Sequence, residues 1–564
     1  MATIFFLVIL LIATFLTLII YSIYLIHKLQ LLGYKNQKFI KWLESRNFRE
    51  VLVWDIFELL FPLFLILVFY FTINPQNIPL YKYITATIIS LVFLWKLIHP
   101  FIKGWIGPLA TKNVKKPLKW TSRVIRLFIT LNLLSIVILV FGFIFTAMPL
   151  DVFTLSTWAF FKFNAFLLFV SVISPIIVIA ANFINFPIEK LIQFFYWTKA
   201  KNKLLKANLF NIGITGSYGK TSTKFFLATI LAEKYKTLFT PASFNTPMGI
   251  SKVVNEEKNL NDYKYFVVEM GADHLGEIDY LCKLVKINCG ILTAIGLQHL
   301  ETFGSIKNII KTKFAILVNI LENGFGIYNY DSPLVRENIN IFPIKAKLYC
   351  YSLEEKDFSK VNVYATDIRH TRSGLEFKAF FDTGEVLDIK TELLGSHNAS
   401  NLLAAMLCAK VIGLTKEEIE EGIKKIKPVE HRLQRIDAGT GVLVLDDAFN
   451  SNLAGATEAL KILKEIDGNK KIIVTPGLVE LGEKEDEQNK IFGNRMANYV
   501  DYAILIGKEK TKKIYEGLIE LNFNKDRIIV VSSLNEARGI LQSIVKPGDV
   551  VLFENDLPDT FNEK

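Results

Sequence analysis

A glycine-rich turn closed by Lys-Thr constrains the fold of this chain more than any other feature. Gly216-x-x-Gly219-Lys220-Thr221-Ser222 follows the apolar run Leu209–Ile214 and leads into a helix-like apolar segment from Lys224 onward. A strand that turns sharply into a helix gathers backbone N–H groups and the positive helix end around one point, and a polyphosphate is held at such a point. In that setting Gly216, Gly219 and Ser222 shape the cradle, Lys220 neutralises the outer phosphates, and the Thr221 hydroxyl is placed for Mg²⁺. The spacing differs from the usual G-x-x-x-x-G-K-[ST] loop.

The 564 residues leave room for three or four domains, and 51% apolar content with a mean hydropathy of +0.33 exceeds that of an ordinary soluble chain. Apolar stretches at 3–26, 51–73, 83–102, 127–148 and 164–186 each approach the ~20 residues a helix needs to cross a bilayer. Segments 27–50 and 103–126 carry six and seven Lys or Arg, against Lys82 alone in 74–82 and Lys162 alone in 149–163. That alternation predicts a five-span, multi-pass protein of the cell membrane, N-terminus outside, with everything after about 188 in the cytoplasm. Residues 1–187 form the expected membrane domain and 188–207 a basic interfacial linker. The net charge of +11 is supplied largely by membrane-proximal loops and does not point to nucleic acid. Cys282, Cys289, Cys350 and Cys408 show no metal-ligand spacing and read as reduced, buried thiols.

From about 208, β-rich runs alternate with helical periodicity, the pattern of α/β domains with mainly parallel sheets. Strands are expected at 265–269, 290–295 and 325–329, and a small antiparallel layer over 346–394. A second α/β unit opens near Glu430, with strands at 441–446, 471–475, 502–506, 527–531 and 549–554. The predicted boundaries are 208–429 and 430–564.

Three segments share the chemistry of the phosphate loop. Glu269 ends a strand, where a ligand of an open α/β sheet sits. His299, in Gly296-x-x-His299-Leu-Glu, lies just beyond the next strand, and Lys313 follows on a helix. With Gly395-Ser-His397-Asn398-Ala-Ser-Asn401, Glu430-His-Arg432-Leu-Gln and Asp446-Asp447-Ala-Phe-Asn450-Ser-Asn452, these motifs stand in one order over 208–555. That order resembles the Mur ligases, ATP-dependent amide-forming enzymes of peptidoglycan synthesis, and most closely their D-alanyl-D-alanine-adding branch. The resemblance implies a P-loop ATP-binding central domain and a Rossmann-like C-terminal ligase domain. It assigns Lys220 to the ATP phosphates, Thr221 to a first Mg²⁺, and Glu269, His299 and a carbamylated Lys313 to a second. Asn398 and Asn401 are implied as adenine contacts, Arg432 and Asp447 as phosphate and ribose contacts, and Asn245 and Asn450 as substrate residues.

The chain departs from that family in three places. Membrane spans stand where the family's UDP-substrate domain begins, and Pro476-Gly477-Leu478-Val479-Glu480 lacks the branch's usual Asp. Glu554, Asp556 and Asp559 replace a basic C-terminal motif and are expected to present an anionic wall to the amine. The main expectation is a membrane-embedded, ATP-dependent ligase of cell-envelope synthesis, joining the carboxylate of a membrane lipid or lipid-linked acceptor to an amino acid or small-peptide amine. Alternatives are a ligase of the same branch acting on a soluble UDP-linked peptide, a poly-amino-acid synthetase of the capsule type, and, in a different class, a non-catalytic ATP-binding regulator or transporter.

Overall fold

The computed structural model describes residues 2–44, 117–147 and 157–555, apart from 297, 299, 429–432, 438, 449–452, 480 and 482–483. The chain divides into two compact units, 1–194 and 195–564.

In the first unit the described helices are Ala2–Leu31, Asn36–Glu44, Ser122–Ala147 and the start of Thr157–Lys206. Leu25, Ile26, Leu29, Phe39, Val124 and Val178 form their buried core. Two helices, at Ser122–Phe145 and Ile173–Lys206, are long and apolar enough to cross a membrane, judged by length and composition alone. The expected spans at 51–73 and 83–102 lie outside the described residues. The helix Thr157–Lys206 passes through Pro175 and Pro187 without ending, so the basic segment 188–207 is helical through Lys206 and shares one helix with the fifth expected span.

The second unit holds two sheets. The first has nine strands: β1 (Phe210–Thr215), β2 (Thr237–Phe239), β3 (Tyr265–Glu269), β4 (Cys289–Leu292), β5 (Phe325–Asn329), β6 (Lys347–Ser352), β7 (Val363–Thr371), β8 (Gly374–Phe381) and β9 (Val386–Thr391). Their order is β2-β3-β1-β4-β5-β6-β7-β8-β9. Pairing is parallel as far as β6–β7 and antiparallel beyond. The layer expected over 346–394 therefore continues the same sheet.

Both faces of the parallel part are covered, as such sheets require. In β3, Tyr265 and Val267 face a core shared with the helices Lys220–Leu231 and Ser396–Ile412, while Phe266 and Val268 face the helices Glu277–Val285 and Ile306–Val318. The last of these lies close to the sheet because Gly290 has no side chain; a Cβ there would stand 2.8 Å from the Ile316 carbonyl oxygen. Ser305 caps that helix, its hydroxyl accepting the Asn308 N–H at 3.2 Å, which fixes the start of the segment carrying Lys313.

The second sheet comprises β10 (Gln434–Asp437), β11 (Leu443–Asp447), β12 (Lys471–Thr475), β13 (Tyr502–Ile506), β14 (Ile528–Val531) and β15 (Val550–Glu554), in the order β10-β11-β15-β12-β13-β14. The last strand in sequence lies in the middle. The tip of the β7–β8 hairpin joins the two sheets. Arg372 donates to the carbonyls of Asp467 at 3.0 Å, Gly441 at 3.1 Å and Gly548 at 3.4 Å, and His370 Nδ1 meets Glu465 at 2.6 Å.

Arg372→Ala removes all three carbonyl contacts, each a charge-assisted bond worth about 1.5–3 kcal/mol at most. Hydrogen–deuterium exchange of the full chain is expected to rise at 441, 467–469 and 548 while β1, β3 and β4 keep their protection.

Candidate active site

β1 ends at Thr215, and the chain turns through Gly216–Gly219 into the helix Lys220–Leu231. The turn is fastened to the segment after β4. Ser217 donates its N–H to Ala294 at 2.7 Å, and its hydroxyl accepts the Gly296 N–H at 2.9 Å. Thr293 donates its hydroxyl to the Tyr218 carbonyl at 2.5 Å. Gly219, at φ +79°, occupies the left-handed region, and a Cβ on it would overlap Asn401 Oδ1. Glycine is required there on both counts.

A cavity of about 640 Å³ opens over this turn, lined by Ser217 to Ser222 on one side and by Asn329, Tyr351, His397, Asn398 and Asn401 on another. Leu433, Asp447, Ala454 and Glu458 of the C-terminal sheet domain complete its wall. A second cavity of about 260 Å³ adjoins it, lined by Gly216, Asn245, Thr246, Asp273, Glu277 and Lys313. Ser217, Lys220 and Gln298 line both. Lys220 Nζ donates to the Ser217 carbonyl at 3.1 Å, so the cation lies along the turn at the junction.

Lys313 is 3% exposed. Burial, reinforced by the charge of Lys220, pulls its amine down to about 7, with Glu277 and Asp273 opposing.

Beneath the turn Glu269 meets Lys224, a residue absent from the sequence-based site. Lys224 is fully buried and donates to Glu269 Oε2 at 3.1 Å and to the Ala242 carbonyl. Asn245 Nδ2 donates to Glu269 Oε1 at 3.0 Å. Burial pushes the Lys224 ammonium down and Glu269 holds it up in part.

Residues 214–409 match the Mur ligase middle domain and 431–554 the Mur ligase glutamate ligase domain. Over these two domains the chain belongs to the Mur ligase family. It is 31% identical over 300 residues to the UDP-N-acetylmuramoyl-tripeptide–D-alanyl-D-alanine ligase of Escherichia coli, covering 53% of this chain and 64% of that protein. The Bacillus subtilis protein of the same name is 28% identical over 354 residues, covering 61% and 72%. This chain thus spans somewhat under two thirds of the Escherichia coli relative. The crystal structure of MurF ligase from Thermotoga maritima in complex with ADP matches its fold with a TM-score of 0.56 and 24% identity, covering 64% of this chain and 80% of that one. A MurF structure from Acinetobacter baumannii matches with a TM-score of 0.57, covering 64% and 77%.

Within these Mur ligase domains the sequence-predicted residues are placed unequally. Gly216, Gly219, Lys220, Thr221, Ser222, Asn398, Asn401 and Asp447 all line the two cavities, with Asn245 and Lys313 in the second. Asn401 stands against the glycine turn, its Oδ1 accepting the Thr223 hydroxyl at 3.3 Å, and Asn398 donates to the Leu394 carbonyl at 2.7 Å. Asp447 Oδ1 accepts the Leu433 N–H at 3.0 Å.

Glu269, expected at a metal, is 1% exposed and lines neither cavity; it is the counter-ion of Lys224. Glu554, expected in an anionic wall, is fully buried at the end of the central strand β15 and also lines neither, so it presents no surface to an amine. His299, Arg432, Asn450 and Asp556 lie outside the described residues. Lys224 was readable as the residue one helical turn after Lys220, on the same helix face. Asp273 and Glu277 carried no comparable signal.

Gly219→Ala forces a strained backbone and a clash with Asn401. Affinity for an ATP analogue, measured by titration calorimetry, is expected to fall roughly tenfold or more while the thermal unfolding midpoint moves little.

Proposed function

We propose that this chain is an ATP-dependent ligase that joins a carboxylate to an amine through an acyl phosphate, in peptidoglycan synthesis. The junction at Lys220 carries the reading. A cavity sized for a nucleotide and a smaller cavity for an acceptor share Lys220, a cation placed to neutralise charge as an acceptor carboxylate attacks the γ-phosphate. The carboxylate oxygen forms a bond to phosphorus, ADP departs, and the amine then displaces phosphate from the acyl carbon.

The residues present fit ATP: loop amides, the side-chain-free Gly219 and the asparagines of the helix Ser396–Ile412 surround the larger cavity. For Mg²⁺, Thr221 offers a hydroxyl there. In the smaller cavity Asp273 and Glu277 offer carboxylates beside Lys313, while Glu269 is engaged by Lys224. A metal would be supported there by a carbamate on Lys313, formed when its neutral amine adds to CO₂ and releases a proton. Mg²⁺ would supply charge neutralisation on the transferring phosphoryl group.

The relatives' names favour a UDP-linked muramoyl peptide as acceptor and D-alanyl-D-alanine as amine, the reading placed among the alternatives above, over a lipid-linked acceptor. Two apolar helices of bilayer-crossing length support membrane attachment of the first unit. To test the acceptor, the full chain in neutral detergent would be supplied with ATP, D-alanyl-D-alanine and either a UDP-linked or an undecaprenyl-linked muramoyl tripeptide. Product from the UDP-linked peptide supports the reading; product from the lipid-linked peptide alone overturns it.

Lys220→Ala is expected to lower acceptor-dependent phosphate release by at least roughly a hundredfold without unfolding the chain. Retention of wild-type turnover would remove Lys220 from the reaction.

Lys313→Ala is expected to be inactive and partly rescued by short carboxylates. Carbamylation of the wild type, followed with ¹³C-bicarbonate by NMR, should grow as pH rises through about 7, because the protonated amine cannot add to CO₂. Full activity with no ¹³C signal at Lys313 would count against the carbamate.

A further inference from the structure

We infer that one end of the helical unit is a docking surface for the anionic phospholipid headgroups of a bilayer, an inference that rests on the membrane attachment proposed above. Three segments meet at this end and are locked together by hydrogen bonds. Gln30 donates to the Lys119 carbonyl at 2.9 Å and accepts the Lys119 N–H at 3.1 Å. Asn182 donates to the Tyr34 carbonyl at 3.1 Å and to Asn36 Oδ1 at 2.7 Å. Arg126 Nε donates to Glu189 at 2.9 Å, and Arg123 lies 3.9 Å over the Tyr34 ring.

The charge at this end is one-sided. Residues 28–44 bring four lysines and Glu44; residues 117–126 bring Lys119, Arg123 and Arg126; residues 182–190 bring Lys190 and Glu189. Glu189 is buried between Arg123 and Arg126, so it offsets those two, and the exposed Lys35, Lys38, Lys41, Lys119 and Lys190 set the surface potential.

An apolar stripe runs from that end along the helix Ser122–Ala147. Leu133, Val137, Phe141 and Phe145 recur every fourth residue and are 58%, 60%, 62% and 70% exposed. On the helix Thr157–Lys206, Phe169, Ile176 and Phe183 are also exposed on the stretch leading to the same end. Among the described residues, exposed apolar surface of this extent fits the hydrocarbon of a bilayer. Trp120, 47% exposed beside Lys119, and the short helix Asn36–Glu44, with Phe39 buried and Lys38 outside, lie where apolar stripe gives way to charge. That sequence of apolar, aromatic and basic surface matches hydrocarbon, interface and anionic headgroup in turn. A second copy would have to bring an equally basic end against this one if it paired in parallel.

The test uses the full chain purified in neutral detergent, with phosphatidylglycerol or phosphatidylcholine added at equal mole fraction. Native mass spectrometry is expected to show roughly threefold more bound phosphatidylglycerol than phosphatidylcholine. That preference should fall toward unity in Lys38→Gln/Lys119→Gln/Lys190→Gln, and a parallel thermal-shift preference should weaken in about 0.5 M salt. Equal binding of the two lipids, or a triple variant that keeps the wild-type preference, would overturn the inference. Alkaline carbonate extraction of cell membranes tests the membrane reading separately. Retention of the chain in the pellet supports attachment, whereas release to the supernatant ends both readings whatever the lipid preference in detergent.

Discussion

The buried ion pair between Lys224 and Glu269 is the interaction on which the site depends. Two charges removed from water are costly unless each is paired and hydrogen-bonded, and breaking such a pair by removing one partner costs about 3–5 kcal/mol. Here the requirement draws three elements together. Lys224 comes from the phosphate-loop helix, Glu269 from the end of β3, and the Ala242 carbonyl and Asn245 amide from the loop after β2. Once the pair forms, Asn245 is held at the wall of the smaller cavity. Its carbonyl accepts the Gly271 N–H at 2.9 Å, and Gly271 has no room for a side chain against the Asn245 amide. The cavity beside Lys220 is thus bounded by residues whose places are set by electrostatics two layers below.

A second constraint acts from above. Gly219 must be left-handed for β1 to turn into its helix, and the space freed by its missing side chain is taken by Asn401. The helix Ser396–Ile412 therefore packs directly on the phosphate-loop helix, and Asn398 and Asn401 reach the larger cavity because they lie three residues apart on one face. The remaining wall comes from the other sheet, whose position against the first is held by Arg372 and His370 at the tip of a hairpin. A site made of two domains needs such a fastening, since a shift of an ångström in one wall would disturb the alignment phosphoryl transfer requires.

Much of this was legible in the residues. The phosphate loop reads directly because glycine, lysine and threonine each have a distinct physical task at that spacing, and β12 and β13 lie at the expected positions, each opened beside a charged residue and closed by Pro476-Gly477 or Gly507. What escaped depended on three-dimensional neighbours. Glu554 reads as part of an anionic wall because it stands where the family carries a basic motif, yet β15 inserts between β11 and β12, and strand order is not written in local sequence. The 346–394 segment reads as a separate antiparallel layer because its alternation is antiparallel in kind. Its first strand, β6, pairs in parallel with β5 from Lys347 to Tyr351, and the short parallel register of Tyr351 and Ser352 with Val363 and Tyr364 carries the sheet on into β7. Glu269 is implied as a metal ligand by the family resemblance alone, and its strand-end place says nothing of Lys224, whose side chain reaches it only in three dimensions.

Lys313 shows how the two cavities become one site. Gly290 lets its helix close on the sheet, burial strips its ammonium of water, and Lys220 adds repulsion, so the amine loses its proton far more readily than a surface lysine. The same Lys220 faces the cavity where phosphates would lie. Filling that cavity with polyphosphate would neutralise Lys220 and relieve its pressure on Lys313, while a carbamate on Lys313 would attract Lys220 toward the smaller cavity. Under the proposed function, each lysine would therefore respond to the other's ligand through a shared field. That coupling distinguishes the arrangement from a simple nucleotide pocket, which has no need of a buried second amine beside its phosphate lysine.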